Sequence, residues 1–214
     1  MWSLEMGCLY KDWGKLHSDK ILSMAVTSDN LAFYTGGFDK CLKKWSFENL
    51  ENYNEQIGES ELQDLLLFDF GKVHKMSINF MVLTENNKYL FTVGTEKTLK
   101  KWCVNQNLLL KDFKKIHDKK VNSLISCSNS KYLFSGSDDM SIKQWNIESN
   151  VLIRVIANAH DEAIRKIVIS PDDRFLVSIG DDNSLKQWSV DEFKLQKDYG
   201  DASSNPIASI VVIL

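Results

Sequence analysis

The sequence lacks most of the features that announce a membrane segment, a metal centre or a reaction. No apolar stretch approaches the ~20 residues that a helix needs to cross a bilayer. The opening MWSLEMGCLY has neither a basic start nor a long apolar run, so it does not read as a secretory signal. The four cysteines, Cys8, Cys41, Cys103 and Cys127, are scattered and form no CxxC pair, which leaves no disulfide framework. Such thiols are expected to stay reduced, in an intracellular setting, with the cytoplasm expected first and the nucleus as the alternative. A net charge of −3 supplies no global basic field to recruit nucleic acid or an anionic membrane. No glycine-rich phosphate loop occurs either: Gly36-Gly37 and Gly136 stand at the ends of strand-like runs, where close packing favours small residues. No cofactor and no metal is expected.

What the 214 residues do contain is repetition. His117 is followed by Ser135, Asp139 and Trp145, at offsets of 18, 22 and 28 positions. The same offsets recur at His160, Ser178, Asp182 and Trp188, at His17, Thr35, Asp39 and Trp45, and at His74, Thr92, Glu96 and Trp102. Within one copy the runs 121–126, 131–135, 141–147 and 151–156 are short, rich in β-branched and aromatic residues, and separated by Ser, Asn and Asp turns. Four short strands with no helical period describe an antiparallel meander. A lone meander cannot bury its faces, so neighbouring copies must stack on one another. At 43% hydrophobic and 26% charged residues, the composition suits such a packed chain.

The histidine-to-tryptophan spacing, the Ser-Gly-Ser before the acidic turn and the tryptophan ending the third strand resemble the WD-repeat β-propeller family. The resemblance covers nearly the whole chain, although no tryptophan here is followed by aspartate: Ser46, Cys103, Asn146 and Ser189 stand there instead. It implies an all-β fold, read as one propeller region over 1–214. Four complete four-stranded blades are expected at 17–70, 74–113, 117–156 and 160–198. An orphan outer strand at 8–13 and an orphan inner strand at 207–213 would flank them, giving an open arc and an incomplete ring. Successive tryptophans from Trp2 are 43, 57, 43 and 43 residues apart, and the long interval reflects a 14-residue insertion near 50–64. From Glu48 to Asp64 that insertion carries six carboxylates and no lysine or arginine, which reads as a solvated loop with a helical turn near 59–66, or as an acidic handle for a basic partner. The blades that would close the ring are expected from a longer chain or from a second copy.

His, Ser or Thr, and Asp together invite comparison with a hydrolase triad. A nucleophile, however, must be exposed beside an oxyanion hole, and a catalytic set has no reason to recur in every structural unit. The resemblance implies instead a buried chain of hydrogen bonds in which the acid accepts from the histidine and the hydroxyl receives the indole N–H. Glu96, one methylene longer than its Asp counterparts, predicts the least rigid of the four turns, with hydrogen exchange at 94–98 faster than at 137–141.

By the same resemblance, the loops before the first strand and after the second share one partner-binding face. Its candidate residues are Lys20, Phe38, Asn79, Lys120, Asn122, Asp138, Arg165 and Asp181, beside Leu22, Ser77, Thr95 and Ala163. Phe38 is the one large aromatic among them, a residue type common at interface hot spots. Lys111, Lys114, Lys115, Lys119 and Lys120 cluster around His117 and read either as a solvated loop guarding an edge or as a site for phosphate or an acidic peptide. The function that follows is a non-catalytic scaffold for other proteins or peptides, with neither membrane nor nucleic acid as the expected partner. Three rivals stand beside it. A ubiquitin-ligase substrate adaptor would carry Asp directly after the tryptophan and Arg two residues later, which no repeat has. An RNA-associated scaffold has only the lysine cluster behind it. The third is a regulatory propeller of a larger enzyme-containing chain.

Overall fold

The computed structural model describes residues 2–3, 8–9, 15–47, 64–201, 207 and 210. They divide into two compact units, 1–78 and 79–214. All the strands lie in antiparallel sheets whose neighbours follow chain order. The first two, β1 (Trp2–Ser3) and β2 (Cys8–Leu9), pair with each other through Trp2↔Leu9. The predicted outer strand at 8–13 is therefore described only over Cys8–Leu9, where its partner is the strand holding Trp2; 10–13 lie outside the described residues.

Four four-stranded sheets follow. The first comprises β3 (Ile21–Val26), β4 (Ala32–Gly37), β5 (Cys41–Ser46) and β6 (Leu66–Lys72). The second comprises β7 (Ile78–Leu83), β8 (Tyr89–Gly94), β9 (Leu99–Cys103) and β10 (Leu108–Phe113). The third holds β11 (Val121–Ser126), β12 (Tyr132–Ser137), β13 (Ile142–Asn146) and β14 (Val151–Ile156). The fourth holds β15 (Ile164–Ile169), β16 (Phe175–Gly180), β17 (Ser184–Ser189) and β18 (Leu195–Asp201). Asp64 and Leu65 are helical directly before β6, and the rest of the acidic insertion lies outside the described residues. Of the predicted strand 207–213, Ile207 and Ile210 are described and neither is in a strand.

The repeat extends to backbone detail. Asn30, Asn87, Ser130 and Asp173 occupy one repeat position in the first hairpin turn, and all have positive φ. Lys40, Lys97, Met140 and Asn183 do the same in the second turn. Asn and Asp tolerate this left-handed conformation; Lys and Met adopt it at a local cost and are held there by the surrounding turn. Each first turn is also capped by a side chain. Thr27 and Thr84 accept the backbone N–H of Ala32 and Tyr89 at 3.0 Å, and Ser170 accepts that of Phe175 at 2.9 Å. In the third sheet the Cys127 sulfur takes this role, 3.0 Å from the Tyr132 nitrogen, and burial pushes its thiol pKa up.

Burial peaks in the second strand of each sheet. β4 and β8 are buried along their whole length, whereas β10 and β14 are exposed at five of six positions. In the second unit one core joins Tyr89, Phe91 and Leu99 to Val121, Leu124 and Leu133, and another joins Phe134 and Ile142 to Ile164, Ile167 and Trp188. Gly136 marks the close approach: a Cβ there would sit 2.9 Å from Ile164 Cγ2 and 3.2 Å from Ile167 Cγ2. In the first unit Phe33, Trp45 and Leu65 form the core, while Ile21, Leu22, Met24 and Val26 of β3 stay exposed.

Candidate functional site

The histidine of each repeat lies in the loop leading to an inner strand, the hydroxyl residue in the middle of the second strand, and the acid in the turn after it. The tryptophan faces the hydroxyl from the third strand: Leu133↔Trp145 and Leu176↔Trp188 are paired in register. In the first sheet His17 Nδ1 lies 2.8 Å from Asp39 Oδ2, and His17 Nε2 lies 2.6 Å from Thr35 Oγ1. Trp45 Nε1–H donates to the same hydroxyl at 2.7 Å. In the third sheet the corresponding distances are 2.9 Å from His117 to Asp139 Oδ2, 2.7 Å from His117 to Ser135 and 3.1 Å from Trp145 to Ser135. In the fourth they are 2.9 Å (His160 to Asp182), 2.7 Å (His160 to Ser178) and 2.8 Å (Trp188 to Ser178).

The donors dictate the protonation pattern. An indole N–H can only donate and a carboxylate can only accept. The hydroxyl, having accepted from tryptophan, donates onward to Nε2, and the proton of the neutral imidazole sits on Nδ1, facing the acid. Asp139 and Asp182 also accept the backbone N–H of Asp118 and Asp161, each at 2.9 Å, and the hydroxyls of Ser141 and Ser184 at 2.6 and 2.8 Å. Burial alone would raise the Asp182 pKa; the bonds from His160, Ser184 and Asp161 outweigh it and hold the carboxyl at about 2. The balance has the same sign at Asp39 and Asp139. Burial lowers the His160 pKa despite the carboxylate beside it, which favours the neutral ring.

In the second sheet Trp102 Nε1–H donates to Thr92 Oγ1 at 3.0 Å, and Glu96 Oε1 accepts from Thr98 Oγ1 at 3.0 Å. Thr98 occupies the place of Ser141 and Ser184, so this part of the turn survives the longer acid. His74, which falls in the first unit, is buried.

These sets have the composition of a triad without its geometry. Ser135 and Ser178 are 0% exposed and Thr35 is 1% exposed, so no substrate atom can reach the hydroxyls. Each hydroxyl is already engaged by both a ring nitrogen and an indole. Among the described residues no group of three or more His, Cys, Asp or Glu side chains could hold a metal ion. Cys41, Cys103 and Cys127 are free thiols.

The predicted partner-face residues fall into separate groups. Lys20 and Phe38 lie in the first unit, linked by the Phe38 N–H bond to the Lys20 carbonyl at 2.9 Å, and the Phe38 ring is 48% exposed. In the second unit Asn122 Nδ2–H donates to Asp138 Oδ1 at 2.6 Å and to the Ile164 carbonyl at 2.8 Å. Arg165 forks onto Asp181, with Nε to Oδ1 at 2.6 Å and a second bond from Nη2 to Oδ2, and reaches Asp138 Oδ1 at 3.3 Å. Asn79 accepts from Thr95 Oγ1 at 3.0 Å. Asn122, Asp138, Arg165 and Asp181 are thus one closed network and not four free contacts. Lys120 stays exposed, although its carbonyl anchors Ser137 Oγ at 2.8 Å.

Sequence reasoning missed a set of lysines. Lys43, Lys143 and Lys186 thread back to the carbonyls of Leu16, Ile116 and Ala159, each the residue before a histidine, at 3.0, 2.8 and 3.2 Å. The signal was available, because a lysine precedes the tryptophan by two positions in all four copies. Lys101, one position later in its repeat, was not recognisable from any such recurrence. It is 2% exposed and donates to the Ile147 carbonyl at 2.6 Å and to Asn150 Oδ1 at 3.2 Å.

Comparison with known proteins places this geometry. The sequence profile described as WD domain, G-beta repeat matches residues 11–46, 109–146 and 151–189. None of the curated proteins matches the chain by sequence. Among solved structures, the RRP9 WD40 repeats share 21% identity at a TM-score of 0.70, over 85% of this chain and 52% of that one. The structure of U3-55K shares 21% identity at a TM-score of 0.70, over 87% of this chain and 53% of that one. The chain therefore spans about half the length of these structures, and at this identity they speak for the fold alone.

Proposed function

Because the chain belongs to the WD domain, G-beta repeat family, whose members generally serve as protein-interaction scaffolds, we propose that it is a non-catalytic scaffold that binds other proteins or peptides on its loops. The observation that carries the reading is the fate of the histidine sets. Their polar atoms are spent on one another, so they fix the loops that carry the candidate contact residues. Each unit offers its own loops: the first has Lys20 and the exposed ring of Phe38, and the second has Asn79, the exposed cation of Lys120 and the preorganised Asn122–Asp138–Arg165–Asp181 network. Preorganised groups lose little conformational freedom on binding. Three free thiols fit a reducing compartment, and among the described residues no helix is long and apolar enough to cross a membrane.

A photo-crosslinking amino acid placed in turn at Phe38, Lys120 and the exposed outer-strand residue Leu110 tests the reading. Adducts with specific proteins are expected from the first two positions. Adducts confined to position 110, or catalytic turnover by the purified chain, would overturn it.

A further inference from the structure

We propose that the loop between β10 and β11 is the docking site for a carboxylate-rich segment of a partner protein, held by Lys114, Lys119 and Lys120. This inference rests on the scaffold reading above and gives one of those loops a partner chemistry. It concerns the second unit alone.

The argument is one of leftover charge. Lys111, Lys114, Lys119 and Lys120 are all exposed, and their ammonium groups make no hydrogen bond or ion pair among the described residues. The acids beside them are already occupied. Asp118 is paired with Lys115 at 3.0 Å, and Asp139 is taken by His117, Ser141 and the Asp118 N–H. Asp138 is held by Asn122 and Arg165, and Asp181 by Arg165. Lys97, from the β8–β9 turn, donates to the Asp118 carbonyl at 2.7 Å and brings a further positive charge to the same loop. Asp112, below Lys111, is bound by Lys100 at 2.6 Å. A chain of net charge −3 thus concentrates uncompensated cations on one of its proposed binding loops.

The extent of the patch selects a peptide. In the next repeat the positions of Asp118, Lys119 and Lys120 are filled by Asp161, Glu162 and Ala163, so the lysine cluster does not continue into that blade. A nucleic acid would need a longer basic track, and single strands also want exposed rings to stack on. The nearby aromatic, Phe113, is half-buried and packed edge-on against Trp145 at 6.1 Å. Three lysines on a short loop fit a few side-chain carboxylates.

The test uses the full chain and a short fluorescein-labelled poly-glutamate peptide, read by anisotropy at low and high salt. An oligouridine of equal charge and a neutral Gly/Ser peptide run beside it. Binding of poly-glutamate that weakens at least ~10-fold in the combined Lys114→Glu, Lys119→Glu, Lys120→Glu variant, and fades with salt, is the expected result. Lys131→Glu and Lys194→Glu, exposed lysines in the opposite turns, should leave it unchanged, with circular dichroism showing all variants folded. No binding of poly-glutamate, binding indifferent to the three reversals, or tighter lysine-dependent binding of oligouridine would each overturn the proposal. If poly-glutamate fails while crosslinks still form at positions 38 and 120, the scaffold reading stands and the acidic partner falls.

Discussion

The seam between the second and third blades and the seam between the third and fourth are built from equivalent positions, yet they solve the burial of polar groups differently. At the first seam a cation is buried. Lys101 lies 3.7 Å from the Tyr89 ring centroid, caps the Ile147 carbonyl and is bordered by Asn150; the Tyr89 hydroxyl in turn donates to Glu148 at 2.9 Å, and Lys88 joins Glu148 at 2.8 Å. Burial lowers the Lys101 pKa, but the ring, the carbonyl and the amide oxygen keep the ammonium satisfied. At the second seam the same repeat position is Gln144, buried, with its Oε1 lacking a partner among the described residues. Asn150 has become Phe193, which stacks near Phe134 at 6.2 Å. Strand and turn bonds cross both seams: at the second, Ser123 Oγ accepts the Ile167 N–H at 3.2 Å and Asp173 accepts from Ser128 Oγ at 2.6 Å, and at the first, Ser126 Oγ donates to the Leu83 carbonyl at 3.2 Å and Ser130 Oγ accepts the Asn86 N–H at 3.3 Å. A repeated fold fixes where blades touch but leaves open whether charge or apolar contact joins them.

The sharpest way to break the comparison is Gln144→Lys, which buries a second cation where Phe193 offers no oxygen. The expected loss is ~3 kcal/mol in chemical denaturation, the scale of an uncompensated buried charge. An unchanged midpoint would show that the Asn150 contact is dispensable. Gly136→Val attacks the second seam through packing, since its first added carbon already meets Ile164; about 1–3 kcal/mol should be lost. At the first seam, Lys101→Ala should cost about 1–3 kcal/mol by leaving the Ile147 carbonyl unpaired. Lys101→Met keeps most of the stem but cannot donate, so it should lose nearly as much as Lys101→Ala. A Met variant close to the parent would mean that packing alone matters there.

Acid should loosen the fourth blade in two stages. Folding depresses the His160 pKa below 6.5, so the stability that depends on its neutral ring is present above that pH and declines as protons are added below it. Folding also depresses the Asp182 pKa from 3.8 to about 2, so its contribution is present above pH ~4 and lost as pH falls through that window. Tryptophan fluorescence of Asp182→Asn should lack the lower stage and retain part of the upper one. The smallest effect concerns the left-handed turn residues. Met140→Gly should stabilise by about 0.5 kcal/mol in thermal denaturation, whereas Asn183→Gly, at the equivalent position, should change little.

Several features were legible in the chain because they recur. Four histidines at fixed distances from a tryptophan announce four sheets, and in each sheet the tryptophan donates to the hydroxyl of its own repeat. The acidic turns recur for the same reason: a contact inside one repeat keeps its sequence separation from copy to copy. Cys127 was harder to read, since a thiol standing in for the hydroxyls of Thr27, Thr84 and Ser170 looks like an unrelated cysteine until the turn is seen. Arg165 and Asp181 read as separate surface contacts, yet they form one fork.

The sequence by itself determined antiparallel meanders in chain order, because strand runs and turn residues recur at a fixed offset. Only the tertiary structure decided which lysine is buried, which face charges cancel and which remain. Those outcomes depend on side chains from neighbouring repeats meeting across a seam, and no spacing within one copy encodes that meeting.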